Sequence, residues 1–162
     1  MEIQSLHTDD CVDEVIVKYS NMVYRLALAQ MKNKQDAEDV FQEVFIRYIS
    51  KSRTFENEEH RKAWLIRVTI NRSRSLWAAW FRKTEPLDDS FVAKASVEDD
   101  LSEYLAILPQ KYRPVIHLFY YEELSIKQIS EILDAKESTV RTWLTRARSI
   151  LGDKLQGGFS NG

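Results

Sequence analysis

The sequence predicts an all-α fold, on three observations. No glycine precedes Gly152, and three prolines, Pro86, Pro109 and Pro114, are all the chain contains in 162 residues. Apolar residues recur three and four apart along most of its length, while the apolar–polar alternation of a half-buried strand is missing. Charge is distributed unevenly: residues 1–83 hold 14 Lys/Arg against 12 Asp/Glu, residues 84–108 hold 1 against 7, and residues 109–162 hold 8 against 6. Two mildly basic helical blocks around an acidic connector predict two small helical domains joined by a flexible acidic linker. The expected boundaries are 1–83 for the first domain, 84–98 for the linker, 99–155 for the second domain and 156–162 for a disordered tail. There is no internal repeat.

The first helix is expected from about Asp10 to Lys32, with a core stripe of Val12, Val15, Ile16, Tyr19, Met22, Val23 and Leu26. Lys32-Asn33-Lys34 makes a turn. Asp36 then opens a second helix, near the positive end that favours a carboxylate. Ala37, Val40, Phe41, Val44, Phe45, Tyr48 and Ile49 form its core face. A separate stripe of the same spacing, Asp39, Gln42, Glu43 and Ile46, points elsewhere; it could be an interaction surface, but on pattern alone a solvated helix face is the default reading. Residues 50–60 break the periodicity and form a loop in which Phe55 is a lone aromatic, suited to pinning the loop to the core.

The third helix, from about Glu59 to Arg82, differs in charge. From His60 to Lys83 it holds Arg61, Lys62, Arg67, Arg72, Arg74, Arg82 and Lys83 with no acid, interleaved with Trp64, Trp77 and Trp80. Trp64, Arg67, Asn71 and Arg74 fall on one face, and Leu65, Val68 and Leu76 are placed toward the core. Cations for phosphate, an amide for a base edge and aromatics for stacking are what a single-stranded nucleic acid needs. A packed tryptophan among solvated arginines fits the same residues.

Beyond the connector, helix resumes at Leu101, Tyr104, Leu105 and Leu108. Pro109 opens the next helix, which carries Tyr112, Val115, Ile116, Leu118 and Phe119, with a slight bend expected at Pro114. Residues 125–151 then read as a helix-turn-helix. Ser125 and Gln128 make a capping box. Ile126, Ile129, Ile132 and Leu133 share one face, the pattern breaks at Asp134-Ala135-Lys136, and it restarts with Val140, Leu144, Ala147, Ile150 and Leu151. The second of these helices carries Arg141, Arg146 and Arg148 and no acid between Ser138 and Gly152. An Arg/Thr-rich second helix of this kind can enter a DNA major groove; an ordinary helical hairpin with a basic face is the plainer reading. From Gly152 the chain should fray.

Composition narrows the function classes. A formal charge of −2 excludes a uniformly basic nucleic-acid coat. Cys11, the sole cysteine, excludes an internal disulfide and fits a reducing compartment. No apolar run approaches a membrane span and no signal-peptide layout opens the chain, so a cytoplasmic protein with no direct membrane insertion is expected. His7, His60 and His117 are scattered, metal-ligand spacing is missing, and there is no glycine-rich phosphate loop. The expectation is therefore a non-enzyme with no catalytic residues, metal, cofactor or small-molecule substrate.

Four ordered segments, DAEDVFQEVFIRYI (36–49), AWLIRVTINRSRSLW (63–77), LPQKYRPVIHLFYYEELSIKQISEIL (108–133) and STVRTWLTRARSIL (138–151), resemble the bacterial sigma-70 family of RNA polymerase sigma factors. The length points to its extracytoplasmic-function subgroup. The resemblance implies an alternative sigma factor, in which the first domain binds core polymerase and opens the −10 promoter element and the second reads the −35 element. Asp39, Gln42, Glu43 and Ile46 would then face the polymerase clamp, with the polymerase flap as a further contact region. Phe55 and its loop would hold a flipped base. Asn71 would help read the −10 strand, with Arg61, Lys62, Arg67, Arg72 and Arg74 as phosphate or base-edge partners and Trp64 packed beside the strand. Arg141, Thr142 and Thr145 would read bases, and Ser138, Thr139, Arg146 and Arg148 would meet phosphates.

The resemblance also implies promoter DNA and an anti-sigma factor as partners. Two departures stand out: Asp134 replaces a frequent glycine in the turn, and Lys136 replaces a small capping residue. Asp tolerates left-handed geometry. Trp143 stands where a basic residue is frequent and is expected to pack. A stand-alone helix-turn-helix regulator is the competing reading, against which the basic, tryptophan-bearing helix 60–83 counts.

Overall fold

Apolar residues three and four apart put Val15, Tyr19, Met22, Val23 and Leu26 on one side of a helix, and that side is buried in α1, Val12–Gln30. The computed structural model describes residues 6–7, 12–31, 33–50, 53–83 and 107–159. The chain falls into two compact units, Met1–Phe91 and Val92–Gly162. In the first, α1 packs with α2, Lys34–Ser50, and α3, Glu58–Lys83, each helix lying against both others. Leu26, Val44, Tyr48, Leu65, Ile66 and Ile70 form the centre of this three-helix bundle. Each such aliphatic side chain contributes roughly 1.5–3 kcal/mol of transfer free energy.

The helix starts are fixed by asparagines. Asn33 Oδ1 accepts from the Asp36 amide at 2.8 Å and its Nδ2 donates to Asp36 Oδ2 at 3.0 Å, so α2 begins two residues before Asp36. Asn57 Oδ1 accepts from the His60 amide at 2.8 Å and caps α3. Between these helices the expected loop is partly extended. Thr54–Phe55 (β2) pairs antiparallel with Leu6–His7 (β1), Leu6 opposite Phe55, a two-residue ladder that leaves the fold all-α.

Three placements differ from the sequence reading. Ile49 lies about 100° around α2 from Tyr48, one residue's rotation, and is exposed with Ile46 rather than buried. The core stripe of α3 is carried by Leu65, Ile66, Thr69, Ile70 and Ser73, while Val68 and Leu76 are half-buried. Thr69 and Ser73 enter the core because each hydroxyl donates back along its own helix, Thr69 Oγ1 to Leu65 O at 2.7 Å and Ser73 Oγ to Thr69 O at 2.8 Å. The tail expected from 156 is helical as far as Phe159 and runs through Gly152, Gly157 and Gly158, each of which weakens a helix without ending it here. Residues 160–162, Cys11, the connector 84–98 and the helical stretch at Leu101, Tyr104 and Leu105 lie outside the described residues.

The second unit starts with α4, a helix of changing pitch: a 3-10 turn at Gln110–Tyr112, an α turn at Arg113–Ile116 and a π turn at His117–Tyr121. Pro114 falls in the first turn of the α segment, so no hydrogen bond is lost in mid-helix. Glu123 takes a left-handed φ of 56°, and the Leu124 amide donates to Leu118 O at 3.0 Å, closing α4. α5, Ile126–Leu133, opens on the expected capping box: the Gln128 amide donates to Ser125 Oγ at 3.1 Å and the Ser125 amide to Gln128 Oε1 at 2.9 Å. Asp134 turns the chain at φ 53°, ψ 49°, with the Ala135 amide donating to Ser130 O at 3.0 Å, so the turn survives without glycine. α6, Glu137–Phe159, packs on α5 through buried Val140, Leu144 and Ala147.

Candidate nucleic-acid interface

On α2 the stripe is real and exposed. Asp39, Gln42 and Ile46 face outward, Ile46 at 62 % exposure, and Ile49 joins them. Gln42 also lines an open groove of about 340 Å³ with Ser20, Asn21, Tyr24, Glu38 and Phe41. Glu43 departs from the stripe. It is half-buried at the edge toward α3, and its Oε2 accepts from Arg72 Nε at 2.6 Å and Nη2 at 2.5 Å. The sequence reading had assigned these two residues to different surfaces; the fold pairs them.

On α3, Arg67, Asn71 and Arg74 stand in one exposed row, four and three residues apart. Lys62 and Trp64 are half-buried. Trp64 belongs to an aromatic cluster with Tyr48 at 5.9 Å and Phe55 at 6.0 Å, and the Arg53 guanidinium lies 4.8 Å from its ring centroid. Phe55 is 1 % exposed, stacked on Tyr48 and edge-on to His60. Arg61 is 4 % exposed, set against the Phe55 ring and donating to Glu58 Oε1 at 2.5 Å. Phe55 and Arg61, counted among the strand-contacting residues from sequence, are therefore buried supports of the loop, as is fitting for a lone aromatic among charges.

Glu58 is a residue the sequence reading passed over. Its two oxygens gather Tyr19 Oη at 2.5 Å, Arg61 Nη1 at 2.5 Å and Lys18 Nζ at 3.6 Å. Partial burial pushes its carboxyl up, but the Tyr19 hydrogen bond and the charges of Arg61 and Lys18 outweigh it and hold the group below its ordinary 4.5. Burial and then the Glu58 partnership raise the Tyr19 hydroxyl in turn. A lowered carboxyl stabilises the fold above the unfolded-state value and ceases to do so as pH falls through the folded one. Glu58→Gln should cost about 1 kcal/mol at neutral pH, after screening at a half-exposed group. The gap to wild type in urea denaturation should shrink as pH falls below 4.5; a pH-independent gap would count against this account. An acid directly after a capping Asn was the available signal.

In the second unit, α6 presents Ser138, Arg141, Thr142 and Thr145 outward, with Thr139 and Trp143 half-buried. Thr142 Oγ1 donates to Ser138 O at 3.0 Å and Thr145 Oγ1 to Arg141 O at 2.9 Å. Arg146 and Arg148 are exposed but engaged by tyrosines of α4. Burial pushes the Tyr112 hydroxyl up, yet hydrogen bonds from Arg146 and Lys111 outweigh it and pull the group below its ordinary value. Arg148 Nε donates to Tyr120 Oη at 2.5 Å. Among the described residues no His/Cys/Asp/Glu group could hold a metal ion, and no helix is long and apolar enough to cross a membrane.

Two family profiles match this chain, Sigma-70 region 2 over residues 7–82 and Sigma-70, region 4 over residues 98–151. The RNA polymerase sigma factor SigV of Bacillus subtilis is 31 % identical over 147 residues, covering 86 % of this chain and 88 % of that one. The ECF RNA polymerase sigma factor SigW of the same organism is 28 % identical over 168 residues, covering 91 % and 90 %. Among solved structures, the sigma factor RpoE in complex with the anti-sigma factor NepR from Bartonella quintana shares the fold at a TM-score of 0.73 and 18 % identity, covering 90 % of this chain and 96 % of that one. Helical units of this order, a helix-turn-helix in the second and relatives along nearly the whole length lead to one conclusion: the chain belongs to the sigma-70 family of RNA polymerase sigma factors, in its extracytoplasmic-function group, and is an alternative sigma factor for transcription initiation rather than a catalyst.

Proposed function

We propose that the protein binds core RNA polymerase through the α2 stripe, captures the melted −10 strand on the Arg67–Asn71–Arg74 row, and reads the −35 duplex with the outer face of α6. The observation that carries this reading is the pairing of two unlike basic surfaces in one sigma factor. An exposed row with an amide between arginines suits an unpaired strand with accessible base edges and phosphates. A capped helix-turn-helix with Arg141, Thr142 and Thr145 facing out suits a major groove. The expected domain limits, 1–83 and 99–155 around a linker at 84–98, belong to the same proposal, as does a cytoplasmic site of action.

Among solved structures of this fold, the sigma factor RpoE is in complex with the anti-sigma factor NepR, and CnrH with the cytosolic domain of CnrY. A partner of that class is proposed for this chain too.

The test is in-vitro transcription with core polymerase over a genomic template, mapping start sites. A common −35 and −10 pair upstream of the starts is the expected result, and no promoter-dependent initiation would refute it. On such a promoter, Arg141→Ala should cost roughly 1–3 kcal/mol and relax selection at one −35 position. A loss uniform across sequences would make Arg141 a phosphate contact instead.

A further inference from the structure

Arg148 does not hang free on α6. Its Nε donates to Tyr120 Oη at 2.5 Å, and its guanidinium carbon lies 5.4 Å from the Phe119 ring centroid and 5.5 Å from that of Tyr120. The two rings stand edge to face, 5.0 Å apart at 80°. They belong to the π turn His117–Tyr121, whose extra residue per turn changes the direction in which consecutive side chains leave the helix. Phe119 is half-buried, while Tyr120 remains 49 % exposed although it is one of the larger side chains of the unit.

The hydrogen-bond inventory gives this pair an outward function. Tyr120 accepts from Arg148, so its own hydroxyl proton is left to donate. Arg148, with Nε engaged, keeps the N–H groups of its two terminal nitrogens, the fork that matches a phosphate. The rings beneath restrict the guanidinium before anything binds, so less freedom is lost on contact. Along α6, Arg148 follows Arg141 by seven residues, about two turns or 10 Å, on the same side of the helix. A helix whose first turns enter a groove passes the sugar-phosphate backbone over that distance.

We propose that Tyr120 and Arg148 form a phosphate clamp for duplex DNA, Tyr120 Oη donating to one phosphate oxygen and the Arg148 terminal nitrogens gripping the same group, with Phe119 as a positioning residue behind them. This rests on the reading of α6 as the duplex-binding helix.

A phosphate contact is blind to sequence, so a mixed-sequence duplex titrated with the full chain, followed by fluorescence anisotropy at several salt concentrations, is a sufficient probe. Tyr120→Phe should weaken binding by about tenfold, the size expected for a hydrogen bond to a charged group, with an unchanged melting temperature. Arg148→Ala should weaken it further and lower the salt slope by about one. The double variant should lose less than the two single losses combined, because the pair acts as a unit. Wild-type affinity in Tyr120→Phe, fully additive losses, or a loss seen only with a lowered melting temperature would each overturn the clamp. If in that case Arg141→Ala still relaxes selection on a duplex carrying the −35 element, the clamp fails alone; if Arg141→Ala is silent on that duplex too, the duplex-reading assignment of α6 falls with it.

Discussion

Phe55→Ala should destabilise the first unit by about 3–5 kcal/mol, the range for emptying a buried aromatic site. The ring is almost fully enclosed, parallel to Tyr48 within 3° at 6.2 Å and edge-on to Trp64 and His60. Its loss would open a cavity among three other rings and leave Arg61 without the aromatic surface 5.6 Å from its guanidinium. It would also unpin β2, whose pairing with β1 depends on Phe55 being held. Urea denaturation followed by tryptophan fluorescence should show the midpoint of one transition fall sharply, with Phe55→Leu recovering part of the loss. A residue that served mainly to hold a flipped base would behave oppositely. Stability would change by less than 1 kcal/mol and strand binding would be lost.

Charge reversal at Asp39 carries the second large effect. Asp39 is exposed on α2 at the N-terminal end of the stripe, so Asp39→Lys should leave the melting temperature unchanged. If the stripe meets the polymerase, a misplaced like charge at the contact costs several kcal/mol, and about 3 kcal/mol is a hundredfold or more in affinity. Co-purification with core polymerase should then disappear, and undiminished recovery of the complex would end the assignment. Asp39 is the cleaner position of the two acids. Reversal at Glu43 would also strip Arg72 of the carboxylate that binds it through two nitrogens and would confuse a lost contact with a lost internal ion pair.

Much of this architecture was legible because it rests on local signals. The Ser125–Gln128 capping box, the break at Asp134 and the restart at Val140 are written in consecutive residues, and each appears where spacing placed it. The row Arg67, Asn71 and Arg74 was legible for the same reason, since i, i+4, i+7 spacing fixes a face regardless of what lies behind it. What was not legible depended on residues far apart in sequence. The Glu43–Arg72 pair spans 29 positions and the Tyr120–Arg148 pair 28, and no periodicity within either helix announces them. Arg61 looked like one of seven similar cations until the fold set it between Glu58 and Phe55. Thr69 and Ser73 were polar letters at core positions, and only the helix's own carbonyls make that burial inexpensive.

If α6 reads a major groove as proposed, its back-bonded threonines bear on which bases it can prefer. A hydroxyl owns one proton, and both Thr142 and Thr145 direct theirs to a carbonyl of their own helix. What each then shows outward is a pair of lone pairs and a methyl group. In the major groove, adenine N6 and cytosine N4 offer protons to lone pairs and thymine offers a methyl to a methyl, whereas guanine shows only acceptors. Toward guanine the two threonines then offer no donor, and Arg141, immediately before Thr142, is the neighbouring side chain with donors to spare. On the proposed reading α6 would carry a divided alphabet, one letter that asks for acceptors and two that refuse them.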